Sequence, residues 1–339
     1  MTTPFSKAHF YSKFRVISLL FFIFFLKAKG SDYLTFSEKC MGTEFKIIID
    51  DVNKSLCKLA AQQAFDEAHR LDLMFSDYLS NSEASTLSGS SYTNQGHQFQ
   101  EVSSEFFKIL KFCFNLSAKT NGKFDVSVGP ASRLWRIARF RKTMPKAYKI
   151  KNALSRIGYK KMILHPVESK VCLRQEGMLL DFGSIAKGYA GDQMLLLLKK
   201  HGLHRSLIDT GGDLVIGQAP GGKTGWEIKI GGDKHPELPT FNLSNCAVAT
   251  SGDIEQFVML NGKVYSHIIN PRSGIGLNGR NQVTVIANSG KVADSMASAA
   301  LICGPDFSKK IFPQYEIDAA FFITQKNGLK KLDQYKSKR

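Results

Sequence analysis

The chain has 339 residues, of which 43% are hydrophobic and 22% are charged. This composition suffices for one large domain or two small ones with a buried core, and it excludes a disordered or collagen-like protein. The 46 Lys and Arg residues exceed the 29 Asp and Glu residues, which gives a formal net charge of +17. Much of that excess lies in two short segments, so it does not predict a nucleic-acid-binding surface.

The first thirty residues have the pattern of a secretory signal peptide. They contain five Lys and Arg residues and no acidic residue, with an apolar run over residues 16–26 and a small-x-small pattern that ends at Gly30. The run is too short to cross a bilayer comfortably, and such a pattern precedes signal cleavage. We predict a signal peptide over residues 1–30 and an exported domain over residues 31–339, with an uncleaved anchor as the alternative. No cysteine stands at the cleavage site, so a lipoprotein anchor is not predicted.

The six cysteines are widely spaced along the chain. They form no C-x-x-C pair and have no histidine at zinc-finger spacing. Export permits disulfides, but this spacing does not require them.

The amino-terminal part of the exported domain predicts one strand and two helices. Residues 44–49 alternate as a strand does, and residues 54–75 have helical periodicity. Residues 103–119 form the second predicted helix, capped by one of the two serines at its start. The polar residues 80–100 predict a long loop between the helices.

Residues 133–161 form a strongly basic segment. This segment holds eleven Lys and Arg residues and no acidic residue. The simpler interpretation is a solvated surface of helix and loop, and the alternative is a docking surface for an anionic partner or for membrane headgroups.

Short apolar runs dominate the carboxyl-terminal part of the chain. Helical periodicity appears only over residues 185–201 and 292–302. Many strands with few helices, and no regular alternation between them, predict the α+β class. The predicted strands cover residues 171–173, 178–182, 206–208, 214–216, 226–230, 247–250, 264–269, 283–287 and 319–323.

A phosphate-loop pattern at residues 217–224 is misleading. The segment satisfies G-x-x-x-x-G-K-[ST], but that loop works only where a helix begins at its lysine. A predicted strand follows it here. We therefore interpret the segment as the turn of a β-hairpin rather than as a nucleotide site.

Residues 181–192 combine features of an anion site. A predicted strand ends at Asp181, and a helix begins near Ser184 with Lys187 in its first turn. Free helix amides and an ammonium group would converge where a pyrophosphate could bind. A capped helix after a tight turn is the structural alternative.

Two further segments carry candidate catalytic groups. Asp294 and Ser298 lie four residues apart on a predicted helix, so they share a face and form a hard-oxygen pair suited to Mg²⁺. His267 lies at a predicted strand end, where an imidazole can accept a proton near neutral pH. Each residue has a purely structural alternative, a charge near a helix start for Asp294 and a packed ring for His267.

Seven motifs in this order resemble the FAD:protein FMN transferase family, the ApbE-type flavin transferases. The match covers residues 40–304, and seven ordered motifs are far more specific than any single one. The motifs lie at residues 41–43, 124–130, 181–192, 210–213, 250–253, 267–274 and 293–294.

The resemblance implies an ApbE-type, T-fold-like α+β fold with mixed sheets, packed helices and an FAD cleft between them. It implies that Mg²⁺ is held by Asp294, by Ser298 and by an oxygen of Ser184, and that His267 is the general base. Ser298 replaces the family's usual Thr, and Ser184 stands where Gly or Ala is common. The implied FAD contacts are Met41, Tyr78, Lys123, Phe124, Asp125, Asp181, Lys187 and Ile268.

The implied reaction is the transfer of FMN from FAD to a Thr or Ser hydroxyl of an exported acceptor protein, with release of AMP. The implied acceptors are subunits of sodium-pumping or Rnf-type redox complexes or small FMN-binding domains, and the implied location is the periplasm or the outer face of the inner membrane. A Mg²⁺-dependent FAD pyrophosphatase and a non-catalytic flavin-binding protein are the alternatives. No nucleic-acid partner is expected, and contact of the basic segment with a membrane surface stays open.

Overall fold

A computed structural model describes residues 33–337 except 91, 94–95, 233–234, 253–256, 280 and 327–328. The predicted signal peptide therefore lies outside the described residues. Within the described part there are eight α-helices and two short 3₁₀ helices, Tyr159–Lys161 and Phe312–Tyr315. The α-helices are α1 Lys54–Phe75, α2 Glu83–Ser90, α3 Ser104–Lys119, α4 Gly129–Arg141, α5 Ala147–Ser155, α6 Ala186–Lys200, α7 Gly290–Cys303 and α8 Pro305–Ile311.

The described strands belong to one large sheet and several small ones. Every pair of strands is antiparallel. The strands are β1 Leu34–Cys40, β2 Thr43–Ile49, β3 Tyr92–Thr93, β4 Gly96–His97, β5 Gln100–Glu101, β6 Met162–His165, β7 Lys170–Leu173, β8 Ser206–Asp209, β9 Leu214–Ile216, β10 Trp226–Lys229, β11 Thr240–Leu243, β12 Cys246–Gly252, β13 Phe257–Leu260, β14 Lys263–Ser266, β15 Ile269–Asn270, β16 Ile275–Gly276, β17 Gln282–Ala287, β18 Ile317–Lys326 and β19 Leu329–Lys336.

An eight-stranded sheet with the order β1-β2-β8-β9-β12-β17-β18-β19 forms the centre of the fold. Helices α1, α6 and α7 cover one of its faces, and the hairpin of β10 and β11 packs on the other. Successive side chains of β2 point to opposite faces of the sheet. Ile47 and Ile49 pack on the side of the helices, and Ile48 packs on the side of the hairpin. The α+β class predicted from the sequence is confirmed.

Helices α6 and α7 cross at two glycines. A Cβ atom at Gly290 would lie 2.3 Å from the carbonyl oxygen of Gly188 and 2.6 Å from Cγ2 of Val215. A Cβ atom at Gly188 would lie 2.1 Å from the carbonyl oxygen of Gly290. The two helix backbones are therefore in direct contact, which only glycine permits.

A smaller hydrophobic cluster contains much of the basic segment. The segment folds into the end of α4, all of α5 and the first 3₁₀ helix, and α4 and α5 bury apolar side chains against β13–β16. Trp135 is fully buried, and its Nε1 donates a hydrogen bond over 2.7 Å to the carbonyl oxygen of Gly274. The segment is thus a packed part of the fold whose charged side chains lie mainly on its outer surface.

Several predicted elements match the structure closely. Helix α1 has the predicted bounds, and α3 begins after Ser103, whose side chain caps it by accepting a hydrogen bond from the Phe106 amide. Strand β9 also has the predicted bounds. These elements have strong local periodicity or a clear cap, which explains why the sequence alone locates them.

Four local predictions were wrong. The predicted strand over residues 264–269 is interrupted at residues 267–268, which separate β14 from β15. The predicted loop over residues 80–100 contains α2, and the predicted strand over 178–182 is extended chain with a single bridge between Leu179 and Val128. Residues 217–224 form a turn that leads into a strand, but β9 and β10 do not pair with each other, so it is not a hairpin turn. Strand pairing depends on distant partners, which local patterns do not specify.

Among the described helices, none is both long enough and apolar enough to cross a membrane.

The glycine contact between α6 and α7 predicts a specific loss of stability. We expect Gly290→Ala to lower the free energy of unfolding by about 1–3 kcal/mol, because the new methyl group would overlap the backbone of α6. Urea denaturation measures this change. Gly89→Ala is the matched control, because a Cβ atom at that helical position meets nothing within 4 Å. Equal stability of the two variants would contradict the prediction.

Candidate active site

A cluster of charged groups lies where the first turn of α6 meets the second turn of α7. Lys187 Nζ donates a hydrogen bond to Asp213 Oδ2 over 2.6 Å. The Gly188 amide donates to Asp294 Oδ2 over 3.1 Å. The structure thus brings Lys187 and Asp294, which the sequence assigns to one site, to neighbouring positions.

Asp213 is held by the turn between β8 and β9. Its carbonyl oxygen accepts a hydrogen bond from the Thr210 amide over 2.8 Å, and its Oδ1 accepts one from the Thr250 amide over 3.1 Å. Asp209 closes the same turn by accepting hydrogen bonds from the two glycine amides that follow Thr210. Backbone contacts therefore hold Asp213 in place independently of its ion pair with Lys187.

Ser298 lies one helical turn beyond Asp294 on the same face of α7. Its hydroxyl shares a hydrogen bond of 2.8 Å with the hydroxyl of Ser251, at the end of β12. Ser251 belongs to the motif at residues 250–253, whose last residue lies outside the described residues. Asp294 and Ser298 therefore place two oxygen ligands of α7 on the helix face that meets the end of β12.

Burial and neighbouring charges strongly shift the pKa values of the ionisable groups in this cluster. Burial and then the charge of Asp213 raise the pKa of Asp294 to about 7, against the opposing effects of Lys187 and the Gly188 amide. Burial alone would lower the pKa of Lys187, but the carboxylates of Asp213, Asp294 and Asp209 raise it overall. The cluster therefore holds more negative charge than one ammonium group neutralises.

The turn before α6 lies next to this cluster. The Asp181 amide donates to the carbonyl oxygen of Val126 over 2.7 Å, and Asp181 Oδ1 accepts from the Gly183 amide over 2.9 Å. Ser184 is half-buried in this turn, four residues before Gly188, whose amide binds Asp294. The turn at Ser184 therefore leads directly into α6, the helix that contacts α7.

A second group of charges surrounds Arg136 of α4. The guanidinium forms an ion pair with Asp77 and another with Asp181 over 3.3 Å. It also stacks on the ring of Tyr78, with 4.2 Å between the guanidinium carbon and the ring centroid. Tyr78 remains 64% exposed, so a planar ligand can still reach its ring. Arg136 thus joins two predicted flavin contacts, Tyr78 and Asp181.

Asp125 is buried, and both of its carboxylate oxygens accept hydrogen bonds from neighbouring protein groups. Its Oδ1 accepts hydrogen bonds from the amide and hydroxyl of Ser127, and its Oδ2 accepts one of 2.6 Å from the Tyr159 amide. Burial raises the pKa of Asp125, while these bonds oppose the rise. Phe124 beside it belongs to the main core. The structure therefore gives this pair a role in shaping the turn before α4.

Lys123 lies at the other end of α7 from Asp294. Its ammonium is over the ring of Phe307 in α8, 5.2 Å from the ring centroid. Helix α8 follows the carboxyl end of α7, whereas Asp294 lies in the second turn of α7. The side chain of Lys123 is therefore not part of the charged cluster.

Met41 and Ile268 both pack against the main core. Met41 occupies the turn between β1 and β2 with a left-handed φ of 48°. His267 is half-buried between β14 and β15, where the Ile268 amide donates to Ser266 Oγ over 3.0 Å. The carbonyl oxygen of Ile268 accepts from the Leu277 amide, which fixes the backbone on both sides of His267.

Sequence reasoning missed three groups that organise the site. Asp213 lies within a quoted motif, but nothing local identifies it as the partner of Lys187. Arg136 lies in the basic segment and has no pattern that distinguishes it from its charged neighbours. Asp192 is half-buried and accepts hydrogen bonds from the Gly290 and Lys291 amides at the start of α7. Only the packing of distant elements reveals these roles.

The donor set at α7 fits a hard divalent cation. Among the described residues, the Gly188 amide is the only hydrogen-bond donor to the Asp294 carboxylate, which is 4% exposed. A buried carboxylate with one such donor and a raised pKa retains capacity for a cation. Together with the hydroxyl of Ser298, it offers the oxygen ligands that Mg²⁺ takes in proteins.

The chain is similar to known proteins in sequence. The ApbE family model matches residues 41–321. The FAD:protein FMN transferase of Buchnera aphidicola subsp. Schizaphis graminum is 28% identical over 336 residues, which cover 92% of this chain and 93% of that protein. The protein of the same name from Treponema pallidum is 29% identical over 244 residues, which cover 66% and 67% of the two chains.

Solved structures share the fold. The apo form of the flavinyl transferase ApbE from Pseudomonas stutzeri superimposes with a TM-score of 0.74 at 25% identity and covers 91% of this chain and 95% of that one. The flavin transferase ApbE from Vibrio cholerae gives a TM-score of 0.75 at 23% identity and covers 91% of this chain and 98% of that one.

The raised pKa of Asp294 predicts how stability depends on pH. The folded-state pKa of about 7 exceeds the ordinary value of 3.8, so this group favours folding below about pH 4 and loses that contribution as pH rises to 7. We compare the Tm of Asp294→Asn with that of the original protein in EDTA. We expect the difference in favour of the variant to grow by on the order of 5 °C as pH rises from about 4 to 8.

Thermal denaturation of both proteins across this pH range measures the difference. Asp192, whose pKa burial raises to about 6, is present in both proteins, so a change in Tm with pH that the two proteins share is not assigned to Asp294. Parallel Tm profiles would show that Asp294 does not carry this titration.

Proposed function

The chain belongs to the ApbE family, and from that premise we propose how it acts as an FAD:protein FMN transferase. It moves the FMN moiety of FAD onto a Thr or Ser hydroxyl of an exported acceptor protein, uses Mg²⁺ and releases AMP. The observation that carries this proposal is the convergence of Lys187, Asp294 and Ser298 beside the amino end of α6, where the Ala186 amide donates to the carbonyl oxygen of Phe182 and the Gly188 amide donates to Asp294. That arrangement suits a pyrophosphate.

Two groups of residues would surround the pyrophosphate. One group is positively charged, and the other binds the metal. Lys187 presents an ammonium whose charge the surrounding carboxylates maintain, and the α6 amides add a positive helix end. Asp294, Ser298 and a main-chain oxygen of Ser184 hold the metal. When bound, Mg²⁺ supplies Lewis-acid neutralisation of the pyrophosphate charge.

His267 accepts the proton of the acceptor hydroxyl. The hydroxyl oxygen forms a bond to the FMN phosphorus, the bond from that phosphorus to the bridging oxygen breaks, and AMP leaves with the bridging oxygen. The proton passes to the imidazole of His267. Strand pairing fixes the backbone on both sides of this ring, which gives the base a defined position.

Tyr78 and Asp181 form the flavin side of the site. Arg136 holds Tyr78 with one face against its guanidinium, and the exposed part of the ring offers a stacking surface for the isoalloxazine. Met41 and Ile268 add apolar contacts from the β1–β2 turn and from the segment that carries His267.

Residues 1–30 direct the protein to the periplasm or to the outer face of the inner membrane. The signal pattern of the sequence supports this part of the proposal. An exported transferase needs an exported acceptor, and a subunit of a sodium-pumping or Rnf-type redox complex is the acceptor class that we propose.

One assay separates transfer from its alternatives. The mature protein is incubated with FAD, Mg²⁺ and a candidate acceptor, and the products are followed by in-gel flavin fluorescence and AMP release. A fluorescent acceptor with equimolar AMP supports transfer. AMP and free FMN without labelled acceptor indicate an FAD pyrophosphatase, and binding without either product indicates a flavin-binding protein.

The metal role of Asp294 predicts a loss of turnover. We expect Asp294→Ala to lower Mg²⁺-dependent AMP release by on the order of 100-fold or more, because it removes the only metal carboxylate of the proposed site. Asp306→Ala, an exposed carboxylate of α8, is the control and keeps full activity. Full activity of Asp294→Ala would discard the metal assignment.

The base role of His267 predicts a separation of binding from catalysis. We expect His267→Ala to keep the affinity for FAD while transfer slows by about 100- to 10,000-fold, because only the proton acceptor is lost. Flavin fluorescence titration measures binding, and acceptor labelling measures the rate. The exposed His204→Ala is the control. A weakened affinity with an unchanged rate would assign His267 to FAD binding instead.

A further inference from the structure

A second cluster of metal-binding side chains lies on β1 and α1, apart from the charged groups of α6 and α7. It consists of Glu38, Cys40 and His69, whose candidate ligand atoms all lie within 4.8 Å of one another. The proposed transfer reaction uses none of these three side chains. Their residue types provide one oxygen, one sulfur and one nitrogen ligand, a combination that the Asp294 cluster lacks.

Strand periodicity explains why Glu38 and Cys40 converge. They are two residues apart on β1, so their side chains lie on the same face of the strand. The earlier positions of this face, Leu34 and Phe36, pack against the main core. A carboxylate and a thiol thus continue an otherwise apolar face toward α1.

The distances are close to those of a tetrahedral site. Cys40 Sγ lies 3.7 Å from His69 Nε2, and two ligands of one tetrahedral zinc ion are about 3.3–3.7 Å apart. Glu38 Oε1 lies 2.6 Å from the same nitrogen in a hydrogen bond. Coordination requires that contact to open by roughly 0.7 Å. The Glu38 side chain is 36% exposed and has the freedom to make that shift.

Two acidic side chains lie near the buried thiol of Cys40. Glu38 is on the same face of β1, and Asp72 lies three residues after His69 on α1, so Asp72 and His69 share a face of the helix. The charges of both carboxylates act on Cys40, and a divalent cation bound by the thiolate would compensate this negative charge.

We propose that Glu38, Cys40 and His69 form a Zn²⁺ site, with water as the fourth ligand. Thiolate, imidazole and carboxylate together select a borderline ion such as Zn²⁺ over Mg²⁺, which takes oxygen ligands. On binding, Cys40 releases its proton to solvent. The proton that Nε2 donates to Glu38 also leaves that nitrogen, so that the neutral His69 ring carries its single proton on Nδ1. Nε2 then donates its lone pair to the metal, and no oxidation takes place.

The bound ion would fasten the edge of the central sheet to its longest helix. Strand β1 is the edge strand and has only β2 beside it, while α1 packs across the helical face. Cys40 directly precedes Met41 in the β1–β2 turn. Zinc is therefore a structural ion here, and it also fixes the start of the turn that carries a proposed flavin contact.

The test uses Co²⁺ and Zn²⁺ on the mature protein after removal of metals with EDTA. We expect one equivalent of Co²⁺ to produce a thiolate-to-cobalt charge-transfer band in the near ultraviolet, which Zn²⁺ then abolishes by displacement. Zn²⁺ also raises the Tm in proportion to its occupancy. Absence of the band, with no stoichiometric Zn²⁺ binding by calorimetry, would overturn the proposal.

Variants assign the ligands. We expect Cys40→Ser to lose the charge-transfer band. We expect His69→Gln and the conservative substitution Glu38→Gln each to weaken Zn²⁺ binding by at least about 100-fold. Cys113→Ser is the matched control, because Cys113 is also buried but lies on α3 and is not part of the cluster of Glu38, Cys40 and His69. A band that survives in Cys40→Ser or Glu38→Gln with unchanged affinity, or disappears in Cys113→Ser, would place the metal elsewhere and refute this site.

Discussion

The direct contact of two helix backbones at Gly188 and Gly290 is the constraint on which the candidate active site depends. A side chain at either position would overlap the carbonyl oxygen of the other, so the helices approach as closely as backbones allow. That approach lets the Gly188 amide reach the carboxylate of Asp294. Asp192 holds the same junction by accepting hydrogen bonds at the start of α7. The close packing of α6 against α7 therefore also determines where Asp294 and Asp192 lie.

An excess of carboxylates over cations characterises the surroundings of Lys187, whereas Arg139 adds a second guanidinium to the group of charges around Arg136. Lys187 neutralises one of several acidic groups around it, and Arg136 is shared between two. This local excess occurs in a chain whose formal net charge is +17. Since buried carboxylates require compensation, the local balance favours a bound cation. Net charge describes the outer surface of this protein and gives no information about its site.

The two proposed metal sites differ in chemistry and in their place in the fold. The Asp294 cluster offers hard oxygen ligands at a helix junction beside the proposed pyrophosphate site, as the proposed catalytic metal requires. The Glu38, Cys40 and His69 cluster offers mixed sulfur, nitrogen and oxygen donors between a strand and a helix, as a structural metal requires. Both sites join elements that are distant in the chain, so each ion would stabilise tertiary contacts rather than local structure.

The sequence by itself determined the α+β class, the bounds of α1 and β9, and the ordered motifs that identify the family, because periodicity, caps and motif order are local properties. It did not determine which strands pair: residues 178–182 are apolar enough for a strand but form a single bridge. Only the tertiary structure decided that Asp213 binds Lys187, that Arg136 joins Tyr78 to Asp181, and that Cys40 meets His69. These contacts unite residues from different elements, and packing at the glycine junction and along the sheet edge, rather than spacing in the chain, sets their distances.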